Sequence, residues 1–188
     1  MIIGNVLFGK GNLGAFLRRE VDAIDDHVRG NVTAAELEMD DDALTAAMMA
    51  DAKVGSLSVD FENPERNTEE IKVVVSDHFG SANIDGVRVT KSFAFSGNAD
   101  LFDLAPSKYD SSRPRGVLEY GRVKIVYEGR RDPDAIKNSF ADQEAQLRRY
   151  LEWSKEEVDA HDQNLPRRLK AAIEQRRKVL GEIGKLDF

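Results

Sequence analysis

The chain has 188 residues and a net charge of −7, with 41% hydrophobic and 32% charged residues, a composition typical of a globular protein with a core of its own. Because it contains no cysteine, disulfides, thiolate zinc sites, iron–sulfur clusters and cysteine nucleophiles are excluded, and a reducing cytoplasm is the expected location. The N-terminus lacks the basic start of a signal peptide and turns polar too soon for a membrane span, so no membrane association is expected.

Residues 1–54 are predicted to form a helical lead. The first helix begins after Asn12 and ends at Gly30-Asn31. Its apolar face recurs at a spacing of three or four residues: Leu13, Phe16, Leu17, Val21, Ile24 and Val28. The acidic run at residues 40–42 favours the start of a second helix, since carboxylates stabilise the positive end of the helix dipole.

Residues 55–130 are predicted to form a β-rich core, because the apolar spacing there changes to strict alternation. The alternating residues are Leu57, Val59 and Phe61, then Ile71, Val73 and Val75, then Val87, Val89, Phe93 and Phe95. Residues 117–127 predict a β-hairpin around Gly121. About five strands with short connections favour an antiparallel sheet. In the long loop of residues 96–114, Leu101, Phe102 and Leu104 are expected to pack under the sheet edge.

Residues 131–188 are predicted to form a helical arm. Its apolar stripe is Ile136, Phe140, Leu147, Leu151, Val158, Leu165 and Leu169, a spacing suited to packing on a sheet or to a coiled-coil seam. Pro166 predicts a break in this arm. The three stretches together predict a single α+β domain over residues 1–188. Its antiparallel sheet is packed by the N-terminal helices and by the arm. The ending Lys185-Leu186-Asp187-Phe188 is expected to be a junction within a longer protein.

The run Gly9-Lys10-Gly11-Asn12-Leu13-Gly14 matches the glycine fingerprint of dinucleotide-binding folds. That fingerprint also needs a second parallel strand with an acidic residue about 20 residues on. Here the corresponding region, around Asp25 and Asp26, belongs to the predicted helix. A glycine-rich turn entering a helix is therefore the favoured interpretation, and no cofactor is predicted.

No catalytic constellation is recognisable, and catalysis is the alternative hypothesis. Asp60, Glu70 and Lys72 imitate the acidic pair and lysine of a metal-dependent nuclease. A Glu-x-Lys triplet on the exposed side of a strand also arises by chance in a chain this charged. His27, His78 and His161 do not have the spacing of a helical metal pair, so no metal ligand is assigned.

The helical arm supplies the candidate binding residues. Tyr150 and Trp153 are aromatic anchors of the kind enriched where proteins meet. Five basic residues follow on the arm: Arg167, Arg168, Lys170, Arg176 and Arg177. Their positive charge wraps the helix, so a solvated face is favoured over contact with nucleic acid phosphates.

The order of certain segments resembles an N-terminal region of poorly characterised bacterial multidomain proteins. In those proteins the region precedes a variable C-terminal domain, in some cases of the kind used by defence effectors. The segments are Leu13-Gly14-Ala15-Phe16-Leu17, Pro114-Arg115-Gly116, Tyr127-Glu128-Gly129, Tyr150-Leu151-Glu152-Trp153, Asn164-Leu165-Pro166 and Ala172-Ile173-Glu174-Gln175-Arg176-Arg177. The resemblance implies a helper region for a partner domain and carries over no catalytic residue.

These observations lead to one expected function and two alternatives. The expected function is a non-catalytic sensing, oligomerisation or scaffold module in the cytoplasm, acting through self-association or a protein partner. The alternatives are the metal-dependent nuclease and nucleic-acid binding through the basic arm.

Overall fold

The computed structural model describes residues 1–77 and 80–184. Two features of the sequence analysis lie outside the described residues: His78 and the C-terminal Lys185-Leu186-Asp187-Phe188. The helices are α1 (Leu13–Asn31), α2 (Ala34–Leu37), α3 (Asp41–Ala52) and α4 (Pro133–Ile183). The strands are β1 (Ile2–Ile3), β2 (Asn5–Val6), β3 (Gly11–Asn12), β4 (Ser58–Val59), β5 (Glu65–Asp77), β6 (Gly80–Ser96), β7 (Leu104–Ala105), β8 (Arg115–Glu119) and β9 (Arg122–Gly129). A 3-10 helix covers Ala99–Asp103. In the described part of the chain, no helix combines the length and apolarity that a membrane crossing requires.

The α+β class and the antiparallel sheet are confirmed. The main sheet has the order β2-β8-β9-β6-β4, with β1 also paired to β9 and β5 also paired to β6, all antiparallel. The predicted hairpin is β8–β9. Its turn residues Tyr120 and Gly121 have φ of 50° and 70°, and a type I′ hairpin turn requires positive φ at both positions. The short strands β3 and β7 pair in parallel, apart from the main sheet.

The chain divides into two compact units, and neither is a continuous stretch. The first combines Met1–Asn12 with Ser56–Lys155, and the second combines Leu13–Gly55 with the chain from Glu156 onward. These boundaries differ from the predicted lead, core and arm, because α4 contributes to both units.

The first unit contains the main sheet and the beginning of α4. Its core is aromatic: the ring centroids of Phe8 and Tyr150 lie 5.3 Å apart, and those of Phe95 and Phe102 lie 5.1 Å apart. Leu101 and Phe102 are fully buried, as the prediction for the long loop required. Offset and edge-to-face ring pairs of this kind add to the free energy gained from burial alone.

The second unit is helical. Its core brings together residues of α1, α3, the segment between them, and the later part of α4: Ile24, Val28, Val32, Leu37, Leu44, Leu165, Leu169 and Ile173. The predicted starts of both N-terminal helices are confirmed, and Asp40 caps α3 by accepting the N–H groups of Asp42 and Ala43. The short helix α2 was not predicted. Its signal was nevertheless in the sequence, since Thr33 and Glu36 form a capping box.

The predicted break at Pro166 is wrong, because α4 continues through it. A proline inside a helix costs about 3 kcal/mol. Leu165, Leu169 and Ile173 around it are fully buried, and burying each such side chain contributes roughly 1.5–3 kcal/mol. Packing of these three residues therefore exceeds the cost of the proline and keeps the helix continuous.

Candidate functional site

Tyr150, predicted as a partner-binding anchor, is a core residue. Its side chain has 0% exposure and stacks on Phe8. Its hydroxyl donates to the carbonyl oxygen of Asp110 at 3.1 Å and accepts the Asp110 N–H at 3.0 Å. Trp153 is half-buried, edge-on to the Tyr150 ring with centroids 5.2 Å apart. The prediction of Tyr150 as a surface anchor is wrong because one face of α4 is already covered within its own unit.

The apolar stripe of α4 is likewise used inside the molecule. Leu147, Leu151 and Val158 are buried, whereas Arg148 and Arg149 are exposed, as predicted. Arg148 lies over the Phe61 ring, with its guanidinium carbon 3.8 Å from the ring centroid. The stripe therefore leaves no free coiled-coil seam in the described part of α4 up to Val158.

Two of the five predicted basic residues hold the N-terminus of α3. Lys170 lies 2.5 Å from the Asp42 carboxylate, whose hydrogen bond raises the pKa of Lys170. Arg177 pairs with Asp41 and donates to the carbonyl oxygens of Leu37 and Met39 at 2.8 and 2.9 Å. Both cations thus have intramolecular partners. These pairs lower the net positive charge that this part of α4 presents, and nucleic-acid contact through Lys170 and Arg177 stays a prediction.

The other three predicted basic residues, Arg167, Arg168 and Arg176, do not contact the start of α3 in this way. Arg167 and Arg168 are exposed, and Arg176 is half-buried. Arg168 and Arg176 line an open groove of about 380 Å³ between α1 and α4, within the second unit. The groove residues are Asp25, Arg29, Arg168, Ala171, Ala172, Gln175, Arg176 and Val179. Helical spacing places the α4 residues on one face, but no local pattern predicts that Asp25 and Arg29 of α1 line the same groove.

The predicted nuclease residues do not come together. The Asp60 N–H donates to the carbonyl oxygen of Ala94, whereas Glu70 of β5 lies opposite Val87. Ala94 and Val87 both belong to β6. The step from Val87 to Ala94 covers about 23 Å at ~3.3 Å per residue. A shared cation needs both carboxylates within about 4–5 Å. The nuclease hypothesis for Asp60, Glu70 and Lys72 is therefore contradicted.

Each of these three residues has a structural partner instead. The carboxylate of Asp60 accepts the side-chain amide of Asn63 and the N–H groups of Glu62 and Asn63, and these bonds hold its pKa below the usual range. Glu70 pairs with Arg131 at 3.1 Å, and Lys72 pairs with Asp85. The residues belong to a turn and to an exposed strand surface.

The glycine-rich turn binds the long loop through its backbone. The N–H groups of Phe8 and Lys10 donate to the carbonyl oxygens of Phe102 and Asp103 at 2.5 and 2.8 Å, and Gly11 pairs with Leu104. A dinucleotide site would need such N–H groups free to bind a pyrophosphate. This arrangement supports the turn interpretation of the motif.

The most unusual surface is the β5–β6 hairpin. Strand β6 pairs with β9 only from Val87 to Ala94, so its first part, from Gly80 to Gly86, pairs with β5 alone. We call this two-stranded part, residues 71–77 and 80–86, the ribbon. At its base, a Cβ on Gly86 would lie 2.6 Å from both the Gly129 carbonyl oxygen and a Val73 methyl group, so only glycine permits this close approach. Across the described residues, the outer edge of β5 has no pairing strand.

Charged side chains protect only part of the outer edge of β5. Before the ribbon and at its start, ion pairs run along β5: Glu65–Arg122, Glu69–Arg88, Glu70–Arg131 and Lys72–Asp85. After Lys72 the sequence has no charged residue until Asp77. Val74 in this interval is 69% exposed. Natural sheets commonly protect edge strands with charged side chains, so this uncharged interval is an unprotected edge.

Within residues 1–77 and 80–184, no group of three or more His, Asp or Glu side chains is placed to hold a metal ion. Comparison of the chain with protein-family models, curated proteins and solved structures finds no match.

Proposed function

We propose that this chain is a non-catalytic assembly module that pairs with a second copy of itself through the β5 edge of the ribbon. The observation that carries the proposal is the uncharged, exposed edge around Val74, on a hairpin that pairs with no third strand in residues 1–77 and 80–184. Two-stranded hairpins are marginally stable in water, and a further strand satisfies their free N–H and C=O groups. The resemblance to bacterial multidomain proteins adds an expected role, in which the assembled module serves an attached or partner effector domain.

A second copy fits this edge by symmetry. In an antiparallel two-fold arrangement centred on Val74, residue 73 of one copy faces residue 75 of the other, and Lys72 faces residue 76, a serine. No like charges of this interval are then opposed. An isologous contact of this kind closes on itself as a dimer.

The substitution Val74→Lys tests the contact. It sets the two introduced lysines directly opposite each other at the two-fold axis, where like charges destabilise strand pairing. Val74 is 69% exposed, so the substitution should leave the fold of the monomer intact. Light scattering after size exclusion should give twice the monomer mass for the unmodified chain and the monomer mass for Val74→Lys.

Tyr109→Lys is the matched control, because Tyr109 is 75% exposed in the same unit and receives the same charge. It should remain dimeric. A strictly monomeric unmodified chain over a wide concentration range would contradict self-association. Pull-downs comparing the unmodified chain with Val74→Lys would then ask whether a partner protein supplies the strand.

A further inference from the structure

We infer that the groove between α1 and α4 binds a small phosphate-bearing molecule through Arg168 and Arg176. The site lies in the second unit, and the inference is independent of the assembly proposed for the ribbon. It would give the module a ligand to sense.

The first argument is the charge of the groove. Three arginines line it, Arg29, Arg168 and Arg176, against one carboxylate, Asp25. Arg29 also reaches Asp26 at 3.4 Å, but both side chains are more than 70% exposed, and such surface pairs are weak. The groove therefore keeps an excess of positive charge, although the whole chain is acidic.

The second argument is that Arg168 and Arg176 have no competing partners among the described residues. Arg168 forms no ion pair with any residue in 1–77 or 80–184, and the buried Nε–H of Arg176 finds no acceptor there. On the same helix, Lys170 and Arg177 form ion pairs with Asp42 and Asp41. Buried donors are normally paired, and Arg176 lines the groove, so a ligand there can supply an acceptor that the described residues do not.

The third argument concerns shape and chemistry. A guanidinium group presents a fork of N–H donors that matches the oxygens of a phosphate group. The groove is also lined by the small or apolar Ala172 and Val179 and by Gln175, whose side chain carries an amide. A volume of about 380 Å³ lies in the range of small-molecule sites. These features favour a compact ligand with a phosphate group and a less polar body over an extended polynucleotide.

Titration calorimetry of the full chain with inorganic pyrophosphate, at constant ionic strength, tests the inference. We expect saturable binding. Arg168→Gln and Arg176→Gln should each weaken it by about ten- to a hundredfold, the range for loss of hydrogen bonds from a charged group. Arg168→Lys should retain more affinity than Arg168→Gln, because it keeps the charge while losing the fork.

Arg167→Gln is the matched control. It removes the same charge from the same helix at an exposed position outside the groove, and it should leave affinity unchanged. Circular dichroism checks that each variant is folded. If Arg176→Gln unfolds the chain, the exposed Arg168 carries the test alone.

Three results would overturn the inference. The first is the absence of saturable binding at millimolar pyrophosphate. The second is an equal loss of affinity in Arg167→Gln, which would indicate diffuse attraction by the helix surface. The third is tighter binding of a single-stranded oligonucleotide that also depends on Arg167, which would identify a nucleic-acid surface.

Discussion

Replacing Pro166 with alanine should stabilise the protein, because the structure places this proline inside a continuous helix. Alanine restores an N–H at residue 166, which can donate to the carbonyl oxygen of Asp162, and it removes the clash of the proline ring with that carbonyl group. The helix-interior difference between proline and alanine is about 3 kcal/mol. Proline also lowers the conformational entropy of the unfolded chain, which stabilises the folded state by about 1 kcal/mol. The expected gain in the free energy of unfolding is therefore roughly 2 kcal/mol.

Urea unfolding followed by circular dichroism at 222 nm would measure this gain, since the second unit is helical. Gln163→Ala is the control: it is exposed on the same helix and should change the unfolding free energy by less than about 0.5 kcal/mol. An unchanged or lowered stability of Pro166→Ala would refute the reasoning. It would show that the proline ends a helical segment, as the sequence alone suggested.

Two further predictions concern the first unit. Leu151→Ala should lower the free energy of unfolding by roughly 2–5 kcal/mol, because Leu151 is only 8% exposed. Chemical unfolding followed by Trp153 fluorescence measures this loss. A loss below about 0.5 kcal/mol would mean that this side of α4 is not packed. Asp110 has a pKa held below its ordinary value of 3.8 by the N–H and hydroxyl of Ser111, with Arg149 adding to the effect. Its ionised form therefore stabilises the fold above pH 3.8, and the contribution is lost as pH falls through the lower folded-state pKa. Unfolding from pH 7 to 2 should show Asp110→Asn destabilised at neutral pH and approaching the unmodified chain in acid, and a difference independent of pH would contradict this assignment.

Much of the secondary structure followed from local patterns. The three-to-four residue spacing from Leu13 to Val28 predicted α1, and the acidic run at residues 40–42 predicted the start of α3. Alternation and Gly121 predicted the β8–β9 hairpin. These signals are local because a helix cap, a helix face or a hairpin turn is decided within a few residues.

The candidate site residues were harder to predict, since their roles depend on which surfaces remain free after folding. Tyr150 is predicted as a binding anchor because of its aromatic ring. In the structure the ring stacks on Phe8, and the hydroxyl accepts the Asp110 N–H. Lys170 and Arg177 are candidates for their charge, and both form ion pairs with the acidic start of α3, a segment that local sequence does not connect to α4. The spacing of residues along a helix predicts its faces but does not identify the distant segments that cover them.

The sequence by itself determined the α+β class, the antiparallel sheet, and the inward stripe of α4, because periodicity and turn chemistry are written in neighbouring residues. Only the tertiary structure decided that α4 passes through Pro166, that Asp60 and Glu70 lie far apart, and that Arg29 of α1 faces Arg168 of α4. The physical reason is the same in each case: these outcomes depend on packing and pairing between segments distant in the chain, whose energies exceed the local preferences.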